Sequence, residues 1–130
     1  MLRYIGEPTS FKGKTLIISG TSSSVPTCAI DHIIALNHFK RVAFWQTNNI
    51  EPSVGYLPKT VEEGKLGLPA EFYLQGDVLI LQFRTTVKFG RGKELNKEIS
   101  TFVKDHEINE VIIVGTLPED YAQQLNIDFK

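Results

Sequence analysis

The sequence predicts a single α/β domain over residues 1–130, with a mixed, largely parallel sheet flanked by helices and one antiparallel hairpin. Two kinds of segment alternate along the chain: short apolar runs rich in β-branched and aromatic residues, and longer segments whose apolar residues repeat at helical spacing. A strand, helix, strand order is typical of right-handed crossovers between parallel strands. A chain of 130 residues is also long enough to bury a core.

The composition is that of an ordinary globular protein and argues against several functional classes. Hydrophobic residues make up 42%, charged residues 22%, and the net charge is −1, so no nucleic-acid partner is expected. One cysteine excludes an intramolecular disulfide framework and any multi-cysteine metal site. Residues 1–8 lack the apolar centre of a signal peptide, and no run of ~18 apolar residues suits a bilayer. We therefore expect a protein of the cytosol or nucleus, without a membrane partner.

The first predicted strand, Thr15–Gly20, leads through a serine-rich turn into a helix over Thr27–Phe39. On a helical wheel only Thr27, Asp31 and His38 share a polar wedge. The remaining arc is apolar and carries Cys28, Ala29, Ile30, Ile33, Ile34, Ala35, Leu36 and Phe39. A helix that is apolar on most sides is buried on most sides, so we expect a second layer or a partner chain to cover it.

A second strand is predicted at Arg41–Gln46, parallel to the first. Residues 47–69 have no periodicity and hold three prolines and three glycines. A stretch of this length without regular structure is usually functional or mobile. Two β-prone runs, Ala70–Gln75 and Val78–Thr85, flank the pair Gly76–Asp77, which is a good signal for an antiparallel hairpin.

A second helix is predicted from Lys93 to Asp105, and unlike the first it has one dry face and one wet face. Its apolar stripe consists of Leu95, Ile99, Phe102, Val103 and His106. Glu110–Gly115 follows as a third buried strand, expected to be parallel to the first two. A weak helical stretch is predicted at Glu119–Leu125.

The turn Gly20–Ser24 is the first candidate site, because α/β folds bind anions where a strand ends and a helix begins. Its single glycine matches neither the dinucleotide-binding glycine pattern nor a P-loop. Ser24 as a helix cap and Pro26 near the first helical position explain the same residues without a ligand. A bound anion and ordinary helix capping are both open at this point.

Cys28 and His32 lie four residues apart on the first turns of the predicted helix. A helix N-terminus and a nearby histidine both activate a thiol, which would suit a nucleophile. Both residues fall in the apolar arc, however, where a cysteine acts as a small hydrophobe, and no third orienting residue is identified. The histidines also lack a metal-ligand spacing with Asp31 or Glu107. We expect no catalytic residue, no metal and no cofactor.

Two loops are candidate binding segments. Lys88–Lys93 holds two glycines and three basic residues, which suits a phosphate or an acidic partner surface but is also common in exposed connections. Asn48–Pro58 combines prolines with four apolar side chains, which either anchor a partner or fold back on the core. These side chains are Ile50, Val54, Tyr56 and Leu57.

Several strings occur in the order found in a known family. They are the helix segment Ala29–Ile34, the aromatic strand Val42–Trp45, the loop Glu51–Tyr56, and the strands Ala70–Leu74, Leu79–Thr85 and Val111–Gly115. The loop carries a Pro-x-Val-Gly motif, and the second of these strands carries Gln-x-Arg-Thr. Over residues 14–116 the chain resembles the proteasome assembly chaperone 2 family, the second subunit of a heterodimeric chaperone.

The resemblance implies a non-enzymatic function. Such a subunit pairs with a related chain, escorts proteasome α-subunits while their seven-membered ring assembles, and covers the outer face of the α-ring. Family members commonly dock a tail in which a hydrophobic residue is followed by an aromatic residue and then by any residue. Here Phe129 holds the aromatic position, but Asp128 stands where the family has a hydrophobic residue. Family turns often carry two glycines where this chain has Ser22–Ser24, and family chains continue well past the strand at 111–115. The resemblance thus implies a compact or truncated version of that fold.

The residues assigned to partner binding come from the apolar helix, the two loops, the hairpin strand and the tail. They are Ile30, Ile34, Phe39, Val54, Tyr56, Arg84, Lys88, Arg91, Phe129 and Lys130. The chaperone interpretation predicts that the isolated chain self-associates or is poorly soluble and that a related chain relieves this. The alternative is a phosphate- or nucleotide-binding or hydrolytic α/β domain, in which Gly20–Ser24 holds the anion and Arg84 or the Lys88–Lys93 loop neutralises it.

Overall fold

A computed structural model describes residues 1–21, 24–62 and 64–116, with the backbone alone at 59 and 60. Its main sheet consists of β1 (Leu2–Tyr4), β2 (Thr15–Ser19), β3 (Lys40–Trp45), β6 (Ala70–Gln75), β7 (Val78–Phe83) and β8 (Glu110–Val114). The six strands lie in the order β1-β3-β6-β7-β2-β8. A separate sheet joins β4 (Gly55–Tyr56) to β5 (Leu66–Gly67), and the helices are α1 (Ser24–Leu36), α2 (Lys59–Glu62) and α3 (Gly92–Asp105).

The main sheet is mixed, which confirms the predicted α/β class. β2 is parallel to β7 on one side and to β8 on the other, whereas β1, β3, β6 and β7 pair antiparallel. The antiparallel share is larger than predicted because β3 does not pair with β2: two strands, β6 and β7, lie between them. The hairpin β6–β7 turns at Gly76, whose φ of +55° favours glycine, as the Gly76–Asp77 pair predicted.

The helix α1 covers one face of the sheet. It begins and ends three residues earlier than predicted. Ile30 and Ile34 pack with Tyr73 and Ile80, and Asp31 is buried on the same side. The opposite face of α1 is exposed and carries Val25, Cys28, Ala29, His32 and Leu36. Within the described chain, α1 is therefore covered along one side, and its polar wedge points inward at Asp31.

The helix α3 matches its prediction closely and covers the other face. Phe102 lies 5.0 Å from Phe72 and 5.5 Å from Trp45 between ring centroids. Phe72 and Tyr73 are neighbours on β6 and so point to opposite faces, which puts α3 opposite α1. These contacts place α3 over the β3–β6 half of the sheet.

The segment 47–69 is more ordered than predicted, because it contains β4, α2 and β5. The four apolar residues singled out in this segment divide between two environments. Ile50 and Leu57 are buried on the core, whereas Val54 and Tyr56 are exposed. The predicted helical stretch Glu119–Leu125 lies outside the described residues.

Two further features concern only the part of the chain that the structure describes. There, no helix combines the length and apolar character needed to cross a bilayer. The same residues contain no group of three or more His, Cys, Asp or Glu side chains that could hold a metal ion.

Candidate partner-binding surface

The strand β8 lies at the end of the main sheet and carries apolar side chains on both faces. Among the described residues it is paired on one side only, with β2. Val111, Ile112 and Ile113 are 39%, 42% and 71% exposed. A continuous run of β-branched apolar residues is typical of a parallel strand covered on both faces. An exposed apolar edge of this kind is a template for pairing with another chain.

The register of β8 shows which side chain faces which helix. Val111 and Ile113 lie beside core residues of β2 on the α3 face. Ile112 and Val114 alternate with them and lie on the α1 face, where Val114 packs on the cluster beneath α1. Among the described residues, cover on both faces is therefore incomplete at this end of the sheet.

An open groove of about 1160 Å³ runs between α3 and the β2–β8 end of the sheet. It exists because α3 packs through Phe102 on the other half of the sheet, away from β8. Apolar side chains that line it include Ile18, Leu95, Ile99, Val103, Val111 and Ile113. The charged side chains in the described lining are Lys97 and Lys104. An occupant that complements this groove is apolar and has acidic flanks.

A second cluster joins α1 to the hairpin strands and is closed by its own ion pairs. Arg84 donates to Asp31 from Nη1 to Oδ2 and from Nη2 to Oδ1, both at 2.8 Å. Arg84 Nε donates to Glu71, and Arg41 donates to the other oxygen of Glu71. Gln82 Nε2 donates to Asp31 Oδ1 at 3.1 Å. Two guanidinium groups and two carboxylates balance in charge, so this cluster is a structural ion network.

Tyr73 completes the ion network on the β6 side. Its hydroxyl donates to Glu71 Oε1 and accepts from Arg84 Nη2, both at 3.1 Å. Burial, and then the neighbouring Glu71 carboxylate, raise the pKa of Tyr73 above its ordinary value. Burial alone would lower the pKa of Arg84, but its hydrogen bonds to Asp31 and Glu71 outweigh burial and raise it.

The ion network removes Arg84 from the predicted partner surface. Its side chain is 14% exposed, and its three guanidinium nitrogens already donate to partners in this chain. The prediction treats Arg84 as an available charge because its partners are distant in sequence. Arg84 instead holds α1 against the end of β7.

The glycine of the candidate anion turn has a packing explanation. Gly20 N–H donates to Val114 O at 2.6 Å, and a Cβ at Gly20 would lie 3.0 Å from that oxygen. The close approach of the two strand ends therefore requires a small residue here. Ser24 is the first residue of α1, and Pro26 lies in the first helical turn, where proline is tolerated. Residues 22 and 23 lie outside the described residues.

Cys28 and His32 do not lie in the core. Both are exposed on the outer face of α1, because the inward side is taken by Ile30, Asp31 and Ile34. The expectation that Cys28 acts as a buried hydrophobe is therefore wrong. The exposed residues of this outer face, Val25, Cys28, Ala29, His32 and Leu36, nevertheless include no Asp, Glu, Lys or Arg.

The predicted partner-binding residues fall into different environments. Ile30 and Ile34 are fully buried in this chain's own core, so they are corrected from partner contacts to core residues. Phe39 is partly buried against the same cluster. Val54 and Tyr56 are exposed, as a partner contact requires. Two further predicted residues, Phe129 and Lys130, lie outside the described residues.

Lys88 and Arg91 lie in one short turn. Between them lies Phe89, which was not among the predicted partner-binding residues. Phe89 is fully exposed at the tip of that turn. The basic residues and glycines around Phe89 indicate a charged loop, so the composition of the segment does not draw attention to its aromatic residue. The signal was present in the sequence, because Phe89 is an aromatic residue outside every predicted strand and helix.

Comparison with known proteins shows the fold. The chain matches no family profile and no curated protein sequence. It is similar to a solved structure from Thermoplasma acidophilum, described as a protein with unknown function, with a TM-score of 0.62 and 16% sequence identity. The match covers 91% of this chain and 56% of that chain. This chain therefore corresponds to little more than half of its structural neighbour.

Proposed function

We propose that this chain is a non-enzymatic subunit of a proteasome assembly chaperone, which pairs with a related chain and binds the outer face of the α-ring. The sequence resemblance over residues 14–116 supports the choice of partners. The protein would act in the cytosol or nucleus. The proposal needs no cofactor, metal or catalytic residue.

The exposed apolar edge of β8 is the observation that carries the proposal. The edge of β8, unpaired within the described residues, offers main-chain donors and acceptors, and Ile113 and Val111 offer apolar area beside them. Full burial of one isoleucine side chain contributes about 2 kcal/mol. A related chain could extend the sheet at β8 and cover the groove beneath α3 with the same contact.

The charge of the groove favours a related chain over an identical one. Lys97 and Lys104 border the groove, so an occupant with acidic flanks gains attraction that a second copy of the same lysine-bordered surface does not. The two other occupants to test are a second copy of this chain and residues 117–130.

A pairing experiment tests the proposal. The chain is co-expressed with the related chaperone subunit and with proteasome α-subunits, and complexes are measured by size-exclusion chromatography with mass detection. We expect Ile113→Lys to abolish pairing, because it places a charge on the apolar edge. Ile5→Lys is the matched control, since Ile5 is a 44% exposed isoleucine beyond β1, at the opposite end of the sheet.

Three outcomes of the pairing experiment would change the proposal. Equal pairing by Ile113→Lys and the wild type would remove β8 from the interface. A stable homodimer that the related subunit does not displace would assign β8 to a second copy. Tighter pairing after deletion of residues 117–130 would show that this segment competes for the groove.

Anion binding is the alternative function, and it has less support. Two of its candidate anion donors, the Gly20 N–H and the Arg84 guanidinium, already bind groups within the chain, which leaves the Lys88–Lys93 loop as the candidate cationic group. Thermal unfolding with inorganic phosphate or ATP separates the two functions, because a specific ligand raises the apparent stability by mass action. We expect no shift in Tm; a saturable increase would favour the alternative.

A further inference from the structure

The turn Lys88–Arg91 holds an aromatic side chain rigidly in solvent. Arg91 N–H donates to Lys88 O at 3.0 Å, and Gly90, the third residue of the turn, has φ of +76°. A turn with this bond and a positive φ at its third position matches the type II pattern, which requires glycine there. Phe89 occupies the second position, at the outer corner, and is fully exposed.

Asn49 fixes this turn to the body of the protein. Its backbone oxygen accepts from Lys88 N–H at 2.9 Å, and its side-chain Oδ1 accepts from Arg91 Nε at 2.8 Å. Asn49 itself is buried, and its Nδ2 donates to Glu98 on α3. The turn is therefore clamped at both ends by one buried residue, and Phe89 projects from a preorganised support.

The chain on either side of Phe89 is basic, because Lys88, Arg91 and Lys93 lie within four residues of it. The acidic residues nearby include Glu51, which borders a pocket together with Lys88, and Glu94 and Glu98. Glu98 is already bonded to Asn49 and Thr47. A surface that receives this turn thus has an apolar pocket with carboxylates at its border.

We propose that Phe89 is a docking anchor that inserts into an acid-bordered apolar pocket on the proteasome α-ring. This inference rests on the proposed function and names a contact within it. A single aromatic ring on a rigid projection fits a discrete pocket, whereas the extended apolar edge of β8 fits a strand of the related chain. Preorganisation by Asn49 and Gly90 lowers the entropy that binding would otherwise cost.

Binding to recombinant seven-membered α-rings tests the anchor, with the chain paired to its related subunit. Phe89→Ala should raise Kd about 30-fold, the size of a hot-spot contact. Gly90→Ala keeps Phe89 but strains the turn, and its added methyl meets no atom within 4 Å, so a smaller rise of about 5-fold is expected. Leu36→Ala, at an equally apolar exposed position on α1, is the matched control and should leave Kd unchanged.

Charge and folding provide two further measurements. Lys93→Glu should lower the association rate at low salt more than it raises the dissociation rate, because a border charge acts on encounter. Phe89→Ala should leave Tm unchanged, since an exposed side chain contributes no core packing. An unchanged Tm shows that any loss of binding is not a loss of fold.

The outcomes separate this inference from the proposed function. Ring binding by the wild type with an unchanged Kd for Phe89→Ala overturns the anchor and leaves the chaperone function standing. Weakened pairing with the related subunit, without an effect on the ring, overturns the assignment to the ring. Failure of the wild-type pair to bind α-rings overturns both.

Discussion

Arg84 and Asp31 form a two-pronged ion pair that fastens α1 to the end of β7. The guanidinium Nη1 and Nη2 each donate to one carboxylate oxygen at 2.8 Å, across 53 residues of sequence. Both side chains are largely buried, at 14% and 12% exposure. A pair of this geometry fixes orientation as well as distance, so it sets which face of α1 meets the sheet.

Asp31→Ala should lower the free energy of unfolding by about 3 kcal/mol, because it leaves buried donors of Arg84 and Gln82 without their acceptor. Urea denaturation followed by circular dichroism measures the change. The double variant Asp31→Ala with Arg84→Met removes both charges and should lose less than the sum of the single variants. Additive losses would show that the pair does not act as one unit.

Tyr73 should make the protein sensitive to alkali. Its folded pKa is raised by burial and by Glu71, while the unfolded side chain ionises near pH 10, at about its ordinary value. The unfolded state therefore releases a proton that the native state keeps, so stability is full below about pH 10 and falls as pH rises further.

The size of this alkaline loss can be isolated by comparing slopes. Between about pH 9 and pH 11 the wild type should lose about 1 kcal/mol more than Tyr73→Phe, which has no proton to release. Urea unfolding at each pH gives both slopes. Parallel slopes would contradict the raised pKa, whatever the absolute stability of the variant.

His38 ends α1 in a conformation that favours glycine. Its φ is +55°, and the next residue, Phe39, donates its N–H back to Ile34 O at 3.2 Å. This is the pattern of a helix end with a left-handed residue after the last turn. His38→Gly should therefore raise the free energy of unfolding by about 0.5 to 1 kcal/mol. His38→Ala keeps the strained φ and serves as the control, with a change near zero in urea denaturation.

Local patterns predicted the elements whose signals are contained within a few residues. The Gly76–Asp77 hairpin follows from turn chemistry, and α3 follows from its apolar stripe of Leu95, Phe102 and their neighbours. Phe102 and Leu95 are buried as that stripe predicts. Such features depend on neighbours along the chain, so a single sequence is enough to find them.

Features set by distant residues could not be predicted in the same way. Asp31 marks a polar wedge on α1, but the direction of that wedge depends on Arg84, which arrives on another strand. β3 follows α1 in sequence yet pairs with β6, because the hairpin β6–β7 lies between it and β2. The run Val111–Val114 correctly indicates a strand, but its predicted burial is wrong among the described residues, because nothing in its own sequence shows that it lies at an edge.

The exposure of Phe89 on a fixed turn is another feature that the sequence did not predict. Its exposure results from a turn clamped by Asn49, which lies 40 residues earlier and bonds both Lys88 and Arg91. Composition identifies the segment as a charged loop, whereas the clamp turns it into a rigid support for an aromatic ring. The candidate site therefore depends on a long-range contact that periodicity does not reveal.

Sedimentation velocity of the isolated chain tests the central claim most directly, namely that the apolar edge of β8 needs another polypeptide. We expect the wild type to self-associate as its concentration rises, and Ile113→Lys to sediment as a monomer with unchanged stability. Addition of the related subunit should convert the wild type to a single heterodimer. A wild-type chain that stays monomeric at high concentration, and that the related subunit does not bind, would contradict the claim.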